Sequence, residues 1–98
     1  MPKAYWITTY FEIKNPVQQA QYAALAGPAI TAQGGRILAR GAAAHTFEGG
    51  ENQRTVVIEF DSVAHAVETY HSDAYQAAVA HLQGAVDREV RIVEAIVP

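Results

Sequence analysis

Apolar positions along this chain fall in strand-like runs, switch to helical spacing, and repeat that change once more. The clearest case runs from Arg54 to Tyr75, RTVVIEFDSVAHAVETYHSDAY. In TVVIEF, Val56, Ile58 and Phe60 fall on one side of a strand and Thr55, Val57 and Glu59 on the other, because successive side chains point to opposite faces. The first set suits a face covered by helices. The second carries a carboxylate and should look toward water or a polar cavity. Asp61-Ser62 then offers short side-chain oxygens to the free N–H groups of a first helical turn. Ala66, Val67 and Tyr70 follow at helical spacing. His71-Ser72-Asp73 interrupts, and Ser72 is placed to cap a second helical piece carrying Tyr75, Ala78, Val79 and Leu82.

The flanking segments extend the pattern. Residues 4–11, AYWITTYF, read as a strand, with Tyr5, Ile7, Thr9 and Phe11 on one side and Trp6, Thr8 and Tyr10 on the other. Asn15-Pro16 starts a helix over 16–33, which Gly27-Pro28 should kink or restart and Gly34-Gly35 should end. Residues 36–43 form a second strand, with Ile37 and Ala39 on one face and Arg36, Leu38 and Arg40 on the other. Gly49-Gly50 with Glu51-Asn52 makes a hairpin turn into the central strand. Gly84 to Arg88 reads as a loop and 89–97 as the last strand, with Val93, Ala95 and Val97 opposed to Val90, Ile92, Glu94 and Ile96.

The order is β-α-β-β-α-β, an α+β, ferredoxin-like arrangement with a four-stranded antiparallel sheet, expected to fill residues 1–98 as one domain. Its helices can cover only one sheet face. The covered face is expected to hold Tyr5, Ile7, Thr9 and Phe11 with Val56, Ile58, Phe60 and Val93. That leaves Trp6, Thr8, Tyr10, Leu38, Val57, Ile92 and Ile96 on the other face, beside Arg40, Glu59 and Glu94. Such a surface is too apolar for water, so a second copy is expected against it, giving a dimeric α+β barrel around a pocket.

Composition narrows the function. A net charge of −3 with seven Lys plus Arg argues against a nucleic-acid partner, which needs a basic patch. There is no cysteine, which excludes disulfides, thiolate nucleophiles and sulfur-ligated metals. No stretch approaches the ~20 apolar residues of a membrane span. The start, MPKAYWI, lacks a signal-peptide layout, so no membrane and a cytoplasmic location are expected. Half the residues are hydrophobic, which fits a self-interface. Assembly beyond two chains stays open.

Several stretches carry a resemblance. YAALAGPAITAQGGRILARG (22–41), Glu48-Gly49, VVIEF (56–60), the A-x-x-x-Y-H-S-x-x-Y-Q run from Ala66 to Gln76 and RIVEA (91–95) together resemble the domain of unknown function 1330 family, across nearly the whole chain. The resemblance implies a ferredoxin-like dimeric α+β barrel and no established activity. One departure stands out: where an arginine is common before the final loop, this chain has Leu82, next to His81.

Candidate chemistry lies in three groups. His45, His65, His71 and His81 are the obvious titratable candidates, but none pair at the i,i+4 spacing of a helical zinc site, so no metal is expected. His71 sits at the break between helical pieces, flanked by Tyr70 and Ser72. Free N–H groups there can hold an anion or enolate oxygen, or Ser72 simply caps the helix. Glu59, Glu94 and Arg40 form either a structural ion-pair network or a pocket, with Glu59 as base and Arg40 as anchor. Trp6, Tyr10 and Tyr70 either pack the core or wall a flat ligand.

Two readings follow. One is a homodimeric small-molecule pocket protein without cofactor, an acid–base enzyme of isomerase, cyclase or monooxygenase type. It would use Glu59 or His71 as base on a small carbonyl or aromatic compound. That step is drawn from the range of activities on dimeric α+β barrels. The other is a non-catalytic binding or assembly module whose polar groups pair with one another.

Overall fold

The computed structural model describes residues 2–50 and 53–96. Strand β1 (Ala4–Ile13) leads to helix α1 (Pro16–Ala32), then to β2 (Arg36–Ala42) and β3 (Arg54–Phe60). Helices α2 (Val63–Tyr70) and α3 (Asp73–Val79) follow, with a 3₁₀ turn at Ala80–Leu82, before β4 (Val86–Glu94). The strands form one antiparallel sheet in the order β2-β3-β1-β4, the ferredoxin-like arrangement.

The helix ends are set by local chemistry. Asn15 Oδ1 accepts from the N–H groups of Val17 (3.1 Å) and Gln18 (3.2 Å), with Pro16 in the first turn where its missing N–H is not needed. Ser62 and Ser72 cap α2 and α3 by accepting from His65 N–H (3.1 Å) and Tyr75 N–H (3.3 Å). At the other end of α1, Gly34 takes φ +95° while Gly35 N–H returns to the Ile30 carbonyl at 2.9 Å. Helix α1 runs unbroken through Pro28, contrary to the expected restart. Pro28 and Ala24 are both exposed, so the Ala24 carbonyl that loses its ladder partner faces water.

Trp6 centres the core and is fully buried. Its ring stacks on Phe60 (5.8 Å between centroids) and meets Tyr75 edge-on at 5.0 Å. Each such aromatic pair contributes about 0.5–1.5 kcal/mol beyond area burial. Helix α1 buries Tyr22, Ala26, Ala29 and Ile30, one stripe at helical spacing, against the same sheet face.

Two expected faces are reversed. Trp6 pairs with Ile58 on β3 and with Ile92 on β4, which puts Trp6, Thr8, Tyr10, Val56, Ile58, Val90 and Ile92 on the helix-covered side. Tyr5, Ile7, Thr9 and Val93 therefore look out from the bare side, where Val93 is half exposed. Both faces of β1 are apolar, so alternation alone could not orient it; the register with β3 does. On β2 a bulge between Ile37 and Ala39 makes Leu38 an extra residue, so Arg40 joins Ile37 on the helix side and Ala39 leaves it. Strand β4 begins at Val86, three residues before the expected start, which takes Arg88 out of the supposed loop and into the sheet. The Glu51-Asn52 part of the hairpin turn and Val97 lie outside the described residues.

Gly35 marks the tightest contact between α1 and the sheet. A Cβ there would lie 2.6 Å from Ile30 Cγ2 and 2.8 Å from Phe60 Cζ, whereas one at Gly27 would meet nothing within 4 Å. Gly35→Ala is expected to lose about 1–3 kcal/mol by overpacking. Gly27→Ala, inside α1, is expected to gain up to about 1 kcal/mol. Urea midpoints of the two variants should move in opposite directions.

Candidate functional site

Strands β1 and β4 set Tyr10 directly opposite Arg88. The Arg88 guanidinium turns into the space between sheet and helices, where α1 contributes Tyr22 and α3 contributes Tyr75. It donates to the hydroxyls of Tyr22 (3.1 Å), Tyr75 (3.2 Å) and, at the long limit, Tyr10 (3.5 Å). The Tyr22 and Tyr75 hydroxyls are 2.7 Å apart. The cation also lies over the Tyr22 and Tyr10 rings, 4.8 and 5.7 Å from their centroids. Among the described residues no carboxylate pairs with Arg88. A largely buried cation is thus held by neutral hydroxyls and ring faces, an arrangement that leaves its charge uncompensated.

The titration behaviour of the cluster follows from that geometry. Burial works against the Arg88 charge, but the interactions with Tyr22 and Tyr75 outweigh it and the guanidinium is held above its ordinary range. Burial, then proximity to Tyr22, pushes the Tyr75 phenol well above its ordinary value, and Arg88 only partly opposes this. The Tyr75 phenol stays neutral while Arg88 stays charged.

Arg88 also floors a cleft of about 320 Å³ between α2 and β4, lined by Val67, Tyr70, His71, Arg88, Val90 and Ile92. Its wall is shaped by the break between α2 and α3. Ser72 Oγ donates to the Thr69 carbonyl at 2.7 Å, Gln76 Nε2 donates to the Tyr70 carbonyl at 2.6 Å, and His71 is left exposed at the C-terminal end of α2 with its ring edge-on to Tyr70. The cleft combines an apolar floor, one cation and one imidazole.

A second cavity lies beneath α1, against β1, β2 and β3. It measures about 40 Å³, and its polar lining is Thr8, Tyr10, Gln19, Tyr22, Arg40 and Arg54. Trp6 Nε1 donates to Thr8 Oγ1 at 2.8 Å at its base. Tyr10 and Tyr22 line this cavity and also accept from Arg88, which links the two spaces through hydrogen bonds.

The residues singled out from the sequence are divided among these places. Tyr70 and His71 meet Arg88 in the cleft, whereas Trp6, Tyr10 and Arg40 line the smaller cavity. Ser72 serves as the cap of α3. Glu59 lies on the opposite, bare face of the sheet, where its carboxylate accepts from Arg36 Nε (2.8 Å) and Lys3 Nζ (3.4 Å). Glu94 ends β4 and is exposed. Arg40 is therefore not brought to Glu59. Sequence reasoning missed Arg88, Tyr22, Tyr75 and Arg54. A signal for Arg88 was present: Val86, Arg88, Val90 and Ile92 alternate with Asp87, Glu89 and Arg91, a strand pattern with a single cation on its otherwise apolar side.

Comparison with known proteins agrees with the fold. The sequence profile of a family described as domain of unknown function (DUF1330) matches residues 3–96. No curated protein matches the chain. Among solved structures, a protein of unknown function from Rhodopseudomonas palustris superposes with a TM-score of 0.78 at 21% identity, over 99% of this chain and 85% of that one. SnoaB, a cofactor-independent oxygenase from Streptomyces nogalater, gives a TM-score of 0.70 at 8% identity over 100% and 97%. A dimeric protein of unknown function and ferredoxin-like fold from Bacteroides fragilis gives 0.66 at 12% identity over 95% and 96%. These likenesses establish the ferredoxin-like fold. Among the described residues no helix is long and apolar enough to cross a membrane.

The Glu59 pairing has a testable pH signature. The hydrogen bond from Arg36 lowers the Glu59 pKa, burial partly opposing it, with a further lowering from Lys3. A depressed carboxylate contributes stability above its unfolded value, 4.5, and loses it as pH falls through the lower folded value. Glu59→Gln should therefore shift the urea midpoint more at pH 7 than at pH 3. The shift should be small, because the pair is reached by solvent.

Proposed function

The chain belongs to the family of domain of unknown function 1330, and from that premise we propose that it binds a small planar carbonyl compound bearing an acidic group and moves a proton on it without a cofactor. The observation that carries this reading is Arg88: a largely buried cation with no carboxylate partner among the described residues, at the floor of a cleft of about 320 Å³. Small-ligand sites are commonly concave, mostly apolar and supplied with a few converging polar groups. Three of the five guanidinium N–H donors engage tyrosine hydroxyls, which leaves two for a ligand oxygen.

In this reading His71 removes a proton from the carbon beside the carbonyl. The C–H electron pair becomes the enolate double bond and the carbonyl π pair moves onto oxygen. Arg88 stabilises that oxygen as its charge develops. Return of the proton from His71, to the same or a neighbouring carbon, closes an isomerisation that needs no redox partner. Val90, Ile92 and Tyr70 bound the flat body of the substrate. Exposure of His71 lets it exchange its proton with water between turnovers. A cofactor-independent oxygenase of the same fold supports, by analogy alone, reading chemistry without a cofactor here.

The second reading, a binding or assembly module without turnover, is favoured by Glu59, whose carboxylate is already paired with Arg36 and Lys3 rather than aimed into a cavity. It assigns the bare sheet face to self-association. Tyr5, Ile7, Val57 and Val93 are neighbours there, since Ile7 pairs with Val57 and Tyr5 with Val93. We assign a second copy of the chain to this patch under either reading. The patch is apolar with ion pairs at its margin, and a relative of the same fold is described as dimeric.

Phenylpyruvate, a planar aryl 2-oxo acid, is a suitable probe. Its C3 protons should exchange with D2O faster in the presence of the protein, as followed by proton NMR. His71→Asn should lose at least about tenfold of that acceleration while still binding the probe, and Arg88→Gln should weaken binding itself. Binding without acceleration would select the module reading, and neither binding nor acceleration would remove both cleft assignments. For the interface, light scattering should report about twice 10.6 kDa, and Val57→Lys should return the single-chain mass. A wild-type particle of single-chain mass would overturn the pairing.

A further inference from the structure

The small cavity beneath α1 has a chemistry of its own. Its wall carries two guanidinium groups and, among the described residues, no carboxylate to meet them. Arg40 and Arg54 lie on adjacent strands: Arg40 stands opposite Val56, and Arg54 is two residues before Val56, on the same helix-covered side. Among the described residues neither arginine makes an ion pair. Arg54 Nε is buried with no acceptor. A buried N–H without a partner is uncommon and costly in a folded protein, because it has given up water for nothing.

The remaining polar groups point the same way. Thr8 is 3% exposed, and its hydroxyl oxygen already accepts from Trp6 Nε1, which leaves the hydroxyl hydrogen to donate. Gln19 lines the rim. Everything else in the wall is apolar or aromatic, and among the described residues no Asp or Glu lines the cavity. Two cations, Arg54 and the more exposed Arg40, and a hydroxyl donor therefore line one cavity whose apolar wall includes Trp6, Ile37 and Ile58. A cavity of about 40 Å³ exceeds what one water requires. Above it, Gly27 contributes no side chain, and even an added Cβ would touch nothing within 4 Å, so the α1 side has room for a larger guest.

We propose that the space between α1 and the β2–β3 pair is an anion site, which takes the carboxylate of a small carboxylic acid on Arg40 and Arg54 and seats its apolar body against Trp6 and Ile58. The paired guanidiniums supply the planar two-point recognition that suits a carboxylate. The apolar floor favours an organic acid over a bare inorganic oxyanion. This site is separate from the cleft at Arg88, although Tyr10 and Tyr22, which line it, also accept from Arg88.

The protein carries its own reporter, since Trp6 is the single tryptophan and lines the cavity. Titration with sodium benzoate at constant ionic strength should change Trp6 fluorescence along a saturable curve. Arg54→Gln and Arg40→Gln should each weaken benzoate by about tenfold or more, the size expected for one charge-assisted hydrogen bond. Gly27→Leu, which fills the space while favouring the helix, should abolish the response, and His71→Asn, in the other cleft, should leave it unchanged. Benzyl alcohol, which keeps the ring and lacks the charge, should not saturate. Sodium sulfate binding as tightly as benzoate would overturn the carboxylate assignment. A benzoate response untouched by both arginine variants and by Gly27→Leu would overturn the site.

Discussion

A positive charge withdrawn from water without a negative partner is the constraint on which the interior of this molecule depends. Arg88 enters from β4, and the helices answer it with phenol groups: Tyr22 from α1 and Tyr75 from α3, with Tyr10 opposite on β1. The hydroxyl pair at 2.7 Å joins the two helices through the same network. Phenols can orient their dipoles toward a cation, and their rings offer negative faces, yet they bring no full charge. The fold is thereby tied together at its centre, and a net attraction for anions is left in its interior.

The helix-covered side and the bare side divide the work. On the first, Trp6 packs between Phe60 and Tyr75 and sets the depth at which α1 can approach the sheet. On the second, charges meet in pairs, Glu59 with Arg36 and Lys3, and Glu89 with Arg91. Arg40, Arg54 and Arg88, which make no ion pair among the described residues, all stand on the helix side. That asymmetry separates structural charge from charge available to a ligand, and it was invisible while the faces were unassigned.

Element order, caps and the break at His71 were legible because each rests on neighbouring residues. Asn15, Ser62, Ser72 and Gly34 act through hydrogen bonds or dihedral angles within a few positions of themselves. Which face of β1 turns inward was not legible. Tyr5-Ile7-Thr9 and Trp6-Thr8-Tyr10 are both apolar enough for a core, and the choice is made by pairing with β3, some fifty residues away. The bulge at Leu38 hid Arg40 in the same way, because one inserted residue exchanges the faces of everything after it. Reading Arg88 as loop cost the most, since the cluster it organises draws on β1, α1, α3 and β4 together. Of the site residues foreseen, His71 and Tyr70 share a cleft with that cation, while Glu59 faces away from it.

The irregular step in β2 has a meaning beyond its effect on parity. Strand β2 is one of the two edge strands of the sheet, with β4 at the other side, and such a margin exposes a row of unsatisfied backbone groups to any passing extended segment. The extra residue at Leu38 and the glycine at 41, with φ +145°, interrupt the regular spacing that an incoming strand would have to match. Growth of the sheet sideways into fibrils is discouraged along this border, and association is steered toward stacking of faces.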